Sequence, residues 1–361
     1  MGLVRRAPLI ALAGAAIMLA LSIFIVMPGG TPGLFALSVG VTELWPLVAF
    51  LDLVALIGCL SKRGKIVRMA ASCAAIALAC SLTPLLAYVA HGPRVPFHVL
   101  LSPPPRTADV IVTSIQSPRA LVYRLPRVRT ARPVVVAIYG GAWQRGSPNN
   151  DEALNRAIAS AGFCVIAIDY AHAPGARWPA QRLDALTALA WVRRHARDFG
   201  GDAGRISLLG HSSGAQVALS VAAVRPRGVV SVVVYESPVD LRLGYLFPVQ
   251  PDIIHARDIM SALCGGPPDQ KAACYRDASP RYEVRRGMPP VLMVVASRDH
   301  VVNLAYESVL RTTLQRSGVA VSYVELPWAD HAFETVAYGW HGRIAMWYVL
   351  RFLAGTNHTQ S

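Results

Sequence analysis

A hydroxyl, an imidazole and a carboxylate suffice for acyl-transfer chemistry, and this chain carries all three at positions that a fold could bring together. Residues 208–216 read LLGHSSGAQ. Two serines stand here beside a histidine, but only Ser212 has a glycine two positions away on both sides, Gly210 and Gly214. Such a G-x-S-x-G turn between a strand and a helix is sharp, and a Cβ at either glycine would collide with the elements it joins. The flanks fit: RISLLG reads as a strand, and SSGAQVALSVAAV as a helix of small residues. Ser212 is therefore the expected nucleophile. Ser213 would offer its backbone N–H to an oxyanion, and His211 is too near in sequence to fold back onto Ser212.

A hydroxyl attacks only with a base beside it, and the base needs a carboxylate to hold its tautomer. Asp299, in SRDHVV, follows the strand-like VLMVVAS; His331, in ADHAF, follows YVELP. This is the chain order of serine, acid and base expected at successive strand ends. Of the ten histidines, only His331 has such a placement. His300 reads as a loop residue, and Asp330, too close to His331 to orient it, as a solvated loop carboxylate. YGGAW, Tyr139 to Trp143, closes an earlier strand. Glycine there lets the main chain approach a substrate carbonyl, with the N–H groups of Gly141 and Ala142 as oxyanion donors. The spacing of cysteines and histidines points to no metal site, and nothing calls for a cofactor.

Strands and helices must alternate to set these residues out, and they do. RPVVVAIYGG, FCVIAIDY, RISLLG, GVVSVVVYES, PPVLMVVAS and AVSYVELP are β-rich runs without polar alternation, as parallel strands covered on both faces require. Helical stretches separate them, including one over 179–199 with Leu183, Leu186 and Leu189 at helical spacing. The expected architecture over residues 108–356 is α/β, a mostly parallel doubly wound sheet, with 357–361 as a tail. Residues 238–289 break the rhythm and read as an excursion, or cap, over the carboxyl ends of the strands.

The first ninety residues have another character. The chain of 361 residues is 53% hydrophobic and only 16% charged, and the apolar excess is concentrated before residue 91. Residues 7–27 and 69–90 are uncharged, and 34–60 contain only Glu43 and Asp52. Each run exceeds the roughly 20 residues that span a bilayer, so three transmembrane helices are expected. A cleaved leader is the competing reading of the first run, and the two further runs count against it. Arg5 and Arg6 precede span one, while Lys62, Arg63, Lys65 and Arg68 fill the turn after span two. Positive loops stay inside, so the domain after residue 90 is expected on the periplasmic or extracellular side. Asp52 reads as a tolerated buried polar group facing the bundle or a polar cavity, rather than as part of a transport path. Residues 91–107 hold five prolines and read as a linker, in which Pro103, Pro104 and Pro105 favour a stiff, extended spacer. Downstream lie 29 basic and 19 acidic residues, a scattered excess of ten that suits an anionic membrane surface and carries no nucleic-acid motif. Cys164 reads as a core residue; Cys264 and Cys274 could pair in an oxidising compartment.

YGGAW, IDYAHAP, FGGDAGRISLLGHSSGA, SRDHVV and DHAF, in that order, together resemble the α/β-hydrolase esterases, most closely the bacterial feruloyl-esterase-like and hormone-sensitive-lipase-like group. The resemblance covers residues 108 to about 356. It implies Ser212, Asp299 and His331 as catalytic triad, and Gly141, Ala142 and Ser213 as oxyanion hole. Two departures stand out. The family has histidine where Tyr139 stands, and its lipase-like members carry a helical cap where this chain has spans and linker. The reading that follows is a membrane-anchored serine esterase acting on a small-molecule or lipid-like ester. Transfer of the acyl group to an envelope sugar, amide cleavage, and a catalytically silent binding module remain alternatives.

Overall fold

The computed structural model describes residues 2–60, 63–101, 103–126, 130–336 and 338–358. Lys62 of the basic turn and residues 359–361 of the tail lie outside them. The chain divides into two compact units. One comprises Met1–Arg94 with Ala296–Arg298 and Leu326–Arg343; the other comprises Val95–Val295 with Asp299–Glu325 and Ile344–Ser361.

The first unit contains α1 (Gly2–Val26), α2 (Pro32–Glu43), α3 (Trp45–Leu60), α4 (Lys65–Ser81) and α5 (Thr83–His91). Ala7–Val26 and Lys65–His91 are long and apolar enough to cross a membrane. The expected single span over 34–60 is instead two helices bent by 78° at Leu44. Pro46 is the reason: it has no N–H to give Thr42, and its ring would strike that carbonyl in a continuous helix. Ala15, Ala70 and Ala74 are fully buried, the small residues that let two helices approach closely. Asp52 does face the bundle, its Oδ2 accepting from the hydroxyls of Ser22 at 3.0 Å and Ser81 at 2.8 Å.

The second unit opens on α6 (Phe97–Leu101), a turn of helix ahead of the three consecutive prolines; Pro96 starts it, its carbonyl accepting from Val99. Then come β1 (Ile111–Gln116), β2 (Arg119–Arg124), β3 (Arg132–Ile138), α7 (Glu152–Ser160), β4 (Cys164–Ile168), α8 (Ala180–His195), β5 (Gly201–His211), α9 (Ser213–Ala223) and β6 (Val229–Tyr235). The excursion holds four short helices, α10 (Leu241–Leu246), α11 (Ala256–Cys264), α12 (Ala272–Asp277) and α13 (Pro280–Glu283). After it follow β7 (Val291–Ala296), α14 (Leu304–Arg316), β8 (Val321–Leu326) and α15 (Trp340–His358).

Among the described residues the strands form one sheet of eight in the order β1-β2-β4-β3-β5-β6-β7-β8. β4, β3, β5, β6 and β7 run parallel, and β1 and β2 are antiparallel additions at one edge. β4 and β7 are buried at every position, which is what unbroken Val, Ile and Ala runs buy when helices cover both faces. The helix over 180–195 buries Ala185, Ala188, Leu189 and Val192, a true i, i+3, i+4, i+7 stripe, whereas Leu183 points to solvent. A strict three-residue repeat drifts off one helix face, so Leu189 is buried and Leu186 packs against the core while Leu183 lies outside it.

Candidate active site

At the end of β5 the chain turns hard. Ser212 sits at φ 48° and ψ −120°, a conformation that costs energy for any residue with a side chain and persists only where its surroundings enforce it. A Cβ on Gly210 would lie 2.4 Å from the Gly214 carbonyl oxygen, and one on Gly214 would lie 2.2 Å from that of Ile138. Both glycines are thus demanded by backbone, which cannot yield as a side chain can. Ser212 then caps α9, and Ser213 opens it, so the Ser213 N–H has no partner within the helix. His211 stacks on Tyr235 with ring centres 4.5 Å apart and is spent there.

The YGGAW turn lies against this elbow. A Cβ on Gly140 would come within 3.1 Å of Ser212 Cβ and 3.0 Å of the His211 carbonyl oxygen. Gly141, Ala142 and Trp143 all have positive φ, at 144°, 56° and 58°. Trp143 holds the turn down: its indole donates to Gln216 Oε1 at 2.9 Å, and Gln216 Nε2 donates to the Ala278 carbonyl at 2.8 Å. Tyr139, the departure from the family pattern, has its own anchorage. Its hydroxyl donates to Asp169 Oδ1 and lies 2.9 Å from His172 Nε2, and its ring stacks on Tyr170. Burial first, and the bond to Asp169 second, push the phenol far above its ordinary range, so it remains a donor at any working pH. Tyr139→Phe keeps the ring and deletes the bond. Misplacing a catalytic loop by a fraction of an ångström lowers kcat, here by about tenfold with KM little changed. Steady-state kinetics on a short ester checks this; an unchanged kcat would mean that the turn holds without Asp169.

Asp299 lies three residues beyond β7, and its Oδ1 accepts from the backbone of Val301 at 2.7 Å and Val302 at 2.6 Å. His331 lies five residues beyond β8 and is 7% exposed. The two loops are laced together: Ser297 N–H donates to the Leu326 carbonyl, Arg298 N–H to that of Ala329, and Trp328 N–H to Ser297 Oγ. Asp330 is not the solvated loop carboxylate expected of it. It is buried, and its Oδ1 accepts from the His331 N–H at 2.8 Å, which fixes the loop. Burial is what that bond requires, since water would otherwise compete for it. His300 is a half-buried loop residue.

Residues 122–314 match the BD-FAE family model, more than half of the chain. The chain belongs to the BD-FAE family. It is 31% identical over 214 residues to Esterase LipC of Mycobacterium tuberculosis, covering 56% of this chain and 53% of that protein. It is 29% identical over 244 residues to the Probable carboxylic ester hydrolase LipM of the same organism, covering 63% and 56%. The chain thus spans about half the length of the curated relatives it matches. Among solved structures, Esterase B from Lactobacillus rhamnosis superposes with a TM-score of 0.61 at 21% identity, over 77% of this chain and 93% of that one. The carboxylesterase EstE1, from a metagenomic library, gives 0.60 at 22%, over 72% and 93%. At such identities these two show the α/β-hydrolase fold.

The BD-FAE segment contains Ser212 and Asp299 and stops before His331. It also contains two carboxyls that sequence reasoning missed. Glu236 directly follows β6 at φ 50°, is buried, and brings an oxygen within 4.8 Å of one on Asp299. Its position after a strand end, like that of Asp299, was the available signal. Glu307 of α14 is 2% exposed, and on a helix it gave no signal. Burial first, then the charge of Asp299, raise it well above its ordinary value of 4.5. The folded protein therefore keeps a proton that the unfolded chain sheds above pH 4.5, and stability falls as pH rises from there toward the folded value. Glu307→Gln removes that loss. Its melting temperature should exceed the wild type's by more at pH 8 than at pH 5; equal differences at both would sink the argument.

Within the BD-FAE segment a cavity that opens to solvent begins at Ser212 and Ala142. Val239, Phe247, Ile254 and Met260 of the excursion and Val302 of the β7 loop wall it, so its surface is mostly apolar. The excursion is fastened down at several points. Cys264 and Cys274 form a disulfide between α11 and α12. Arg182 of α8 pairs with Asp277 at 3.0 Å and Glu283 at 2.7 Å, and Trp178 Nε1 donates to Asp277 at 2.7 Å.

Proposed function

We propose that this protein is a membrane-anchored serine hydrolase that cleaves carboxylic esters through an acyl-enzyme. The observation that carries the reading is the elbow: a serine held in a strained conformation between two glycines whose missing side chains are required, with a glycine turn pressed against it. Ser212 Oγ attacks the ester carbonyl and passes its proton to His331. Asp299 orients His331 and balances its charge. The N–H groups of Gly141, Ala142 and Ser213 receive the oxyanion. His331 then protonates the departing alcohol, and a water activated the same way releases the acid. The apolar cavity that starts at Ser212 suits the acyl chain of an uncharged ester. α1 and the α4–α5 helix, with the bent α2–α3 pair, supply the anchor, and the catalytic domain lies outside the cytoplasm. The test is a panel of p-nitrophenyl esters of increasing acyl length, run on the solubilised full chain beside labelling with a fluorophosphonate probe. Ester turnover and a probe adduct on Ser212 are expected; a chain that neither turns over esters nor takes the probe would be a binding module.

A further inference from the structure

We propose that the N-terminal helices are not merely a tether but set the loops that carry Asp299 and His331, with Glu43 and Arg298 as positioning residues. This rests on the assignment of Asp299 and His331 made above. The observation is a double fastening inside the first unit. Glu43, at the end of α2, is 1% exposed and His341 wholly buried. Glu43 Oε1 lies 2.5 Å from His341 Nδ1, and Oε2 accepts from the His341 backbone N–H at 2.9 Å. The other ring nitrogen lies 2.9 Å from the Pro327 carbonyl oxygen. The ring is thus clamped between α2 and the segment after β8, and Pro327 and His341, which it ties together, bracket His331 in the chain. A Cβ on Gly339 would fall 2.4 Å from Glu43 Oε2, so this approach admits no side chain there.

The second fastening holds the other loop. Arg298, the residue before Asp299, donates from Nη1 to the Ile25 carbonyl at 2.9 Å and from Nη2 to that of Val26 at 2.8 Å. These are among the last carbonyls of α1, left without helical partners and at the negative end of its dipole. The Trp328 indole, three residues before His331, donates to the same Ile25 carbonyl at 2.8 Å, and the Arg298 guanidinium lies 4.3 Å above its ring centre. Trp340 packs edge-on against Trp45 of α3 and Tyr88 of α5. A tether needs only a peptide bond. Apolar residues would join helices to loops more cheaply than a buried carboxylate and guanidinium, whose merit is that they fix direction.

The test uses the full-length protein in nanodiscs. Glu43→Ala is expected to lower kcat for a short p-nitrophenyl ester by about tenfold while KM stays within about twofold, since substrate contacts are untouched. Amide exchange should rise over 296–298 and 326–343, while α9 keeps wild-type protection. Glu43→Gln, which retains an acceptor for the backbone N–H, should recover most of the rate. Where Glu43→Ala does not fold, Trp328→Phe decides: it deletes one N–H, keeps the ring under Arg298, and should lower kcat by about threefold. Wild-type kcat in Glu43→Ala, or in Trp328→Phe where Glu43→Ala does not fold, overturns the proposal, as does a fall in kcat with unchanged exchange in both loops. Failure of the underlying assignment looks different: His331→Ala or Asp299→Asn would then keep full activity with the helices intact.

Discussion

Ser212→Ala is expected to lower kcat on a short p-nitrophenyl ester by on the order of 10⁴ to 10⁶, to the limit of detection, with the fold intact. Ser213→Ala should retain much of the wild-type rate. The contrast follows from the elbow. Ser212 is the residue at φ 48° between the two required glycines, whereas Ser213 is already helical, buried, and turns its hydroxyl to that of Tyr170 at 3.4 Å. The role proposed for Ser213 needs only its backbone N–H, and alanine has one too. Kinetics on both variants, with a fluorophosphonate adduct mapped by mass spectrometry, checks this. A dead Ser213 variant beside an active Ser212 variant would mean that the two serines have been assigned the wrong way round.

A phosphatase reporter fused after residue 107 should be active, and one fused near Lys65 inactive. The difference is all or none, because the reporter folds only outside the cytoplasm. The bend at Leu44 gives this experiment a second use. If α2 and α3 together cross the membrane, Arg5, Arg6 and the Lys62–Arg68 turn share the inner side, and α4–α5 then carries the rest of the chain outward. If the bent pair re-enters on the side it left, the basic turn would stand outside and the hydrolase inside, against the charge rule. The pattern of basic residues favours three crossings. An active fusion at Lys65 with an inactive one at 107 would establish two, and would put the Cys264–Cys274 disulfide in a reducing compartment, where it is not expected to persist.

Much of the second unit is legible in the sequence because parallel strands buried on both faces need unbroken apolar runs, and glycines crowded by backbone leave a fixed spacing. Asp299 and His331 do follow strand ends, as the sequence order led one to expect. Other features leave no such trace. The β1–β2 pair is short and half exposed, so it lacks the apolar signature of its neighbours. The break at Leu44 was readable from Pro46, but an apolar run that long outweighs one proline. The anchorage of Tyr139 depends on Asp169, thirty residues away, and the clamp on His341 depends on Glu43, almost three hundred away. Periodicity reports which face of an element is buried; it says nothing of which distant partner a buried polar group will find.

The fastening of the excursion has a consequence for kinetics. Lipases that must swing a lid aside show a jump in rate when their substrate gathers into micelles, because the aggregate holds the open form. Here a disulfide ties α11 to α12, and Arg182 of α8 and Trp178 just before it hold Asp277 and Glu283, so the roof of the cavity resists such an equilibrium. The rate should then follow the concentration of dissolved monomeric ester and saturate smoothly, with no break where aggregation sets in. Anchored as proposed, the protein would draw its substrate one molecule at a time, and discriminate by the shape of a standing pocket.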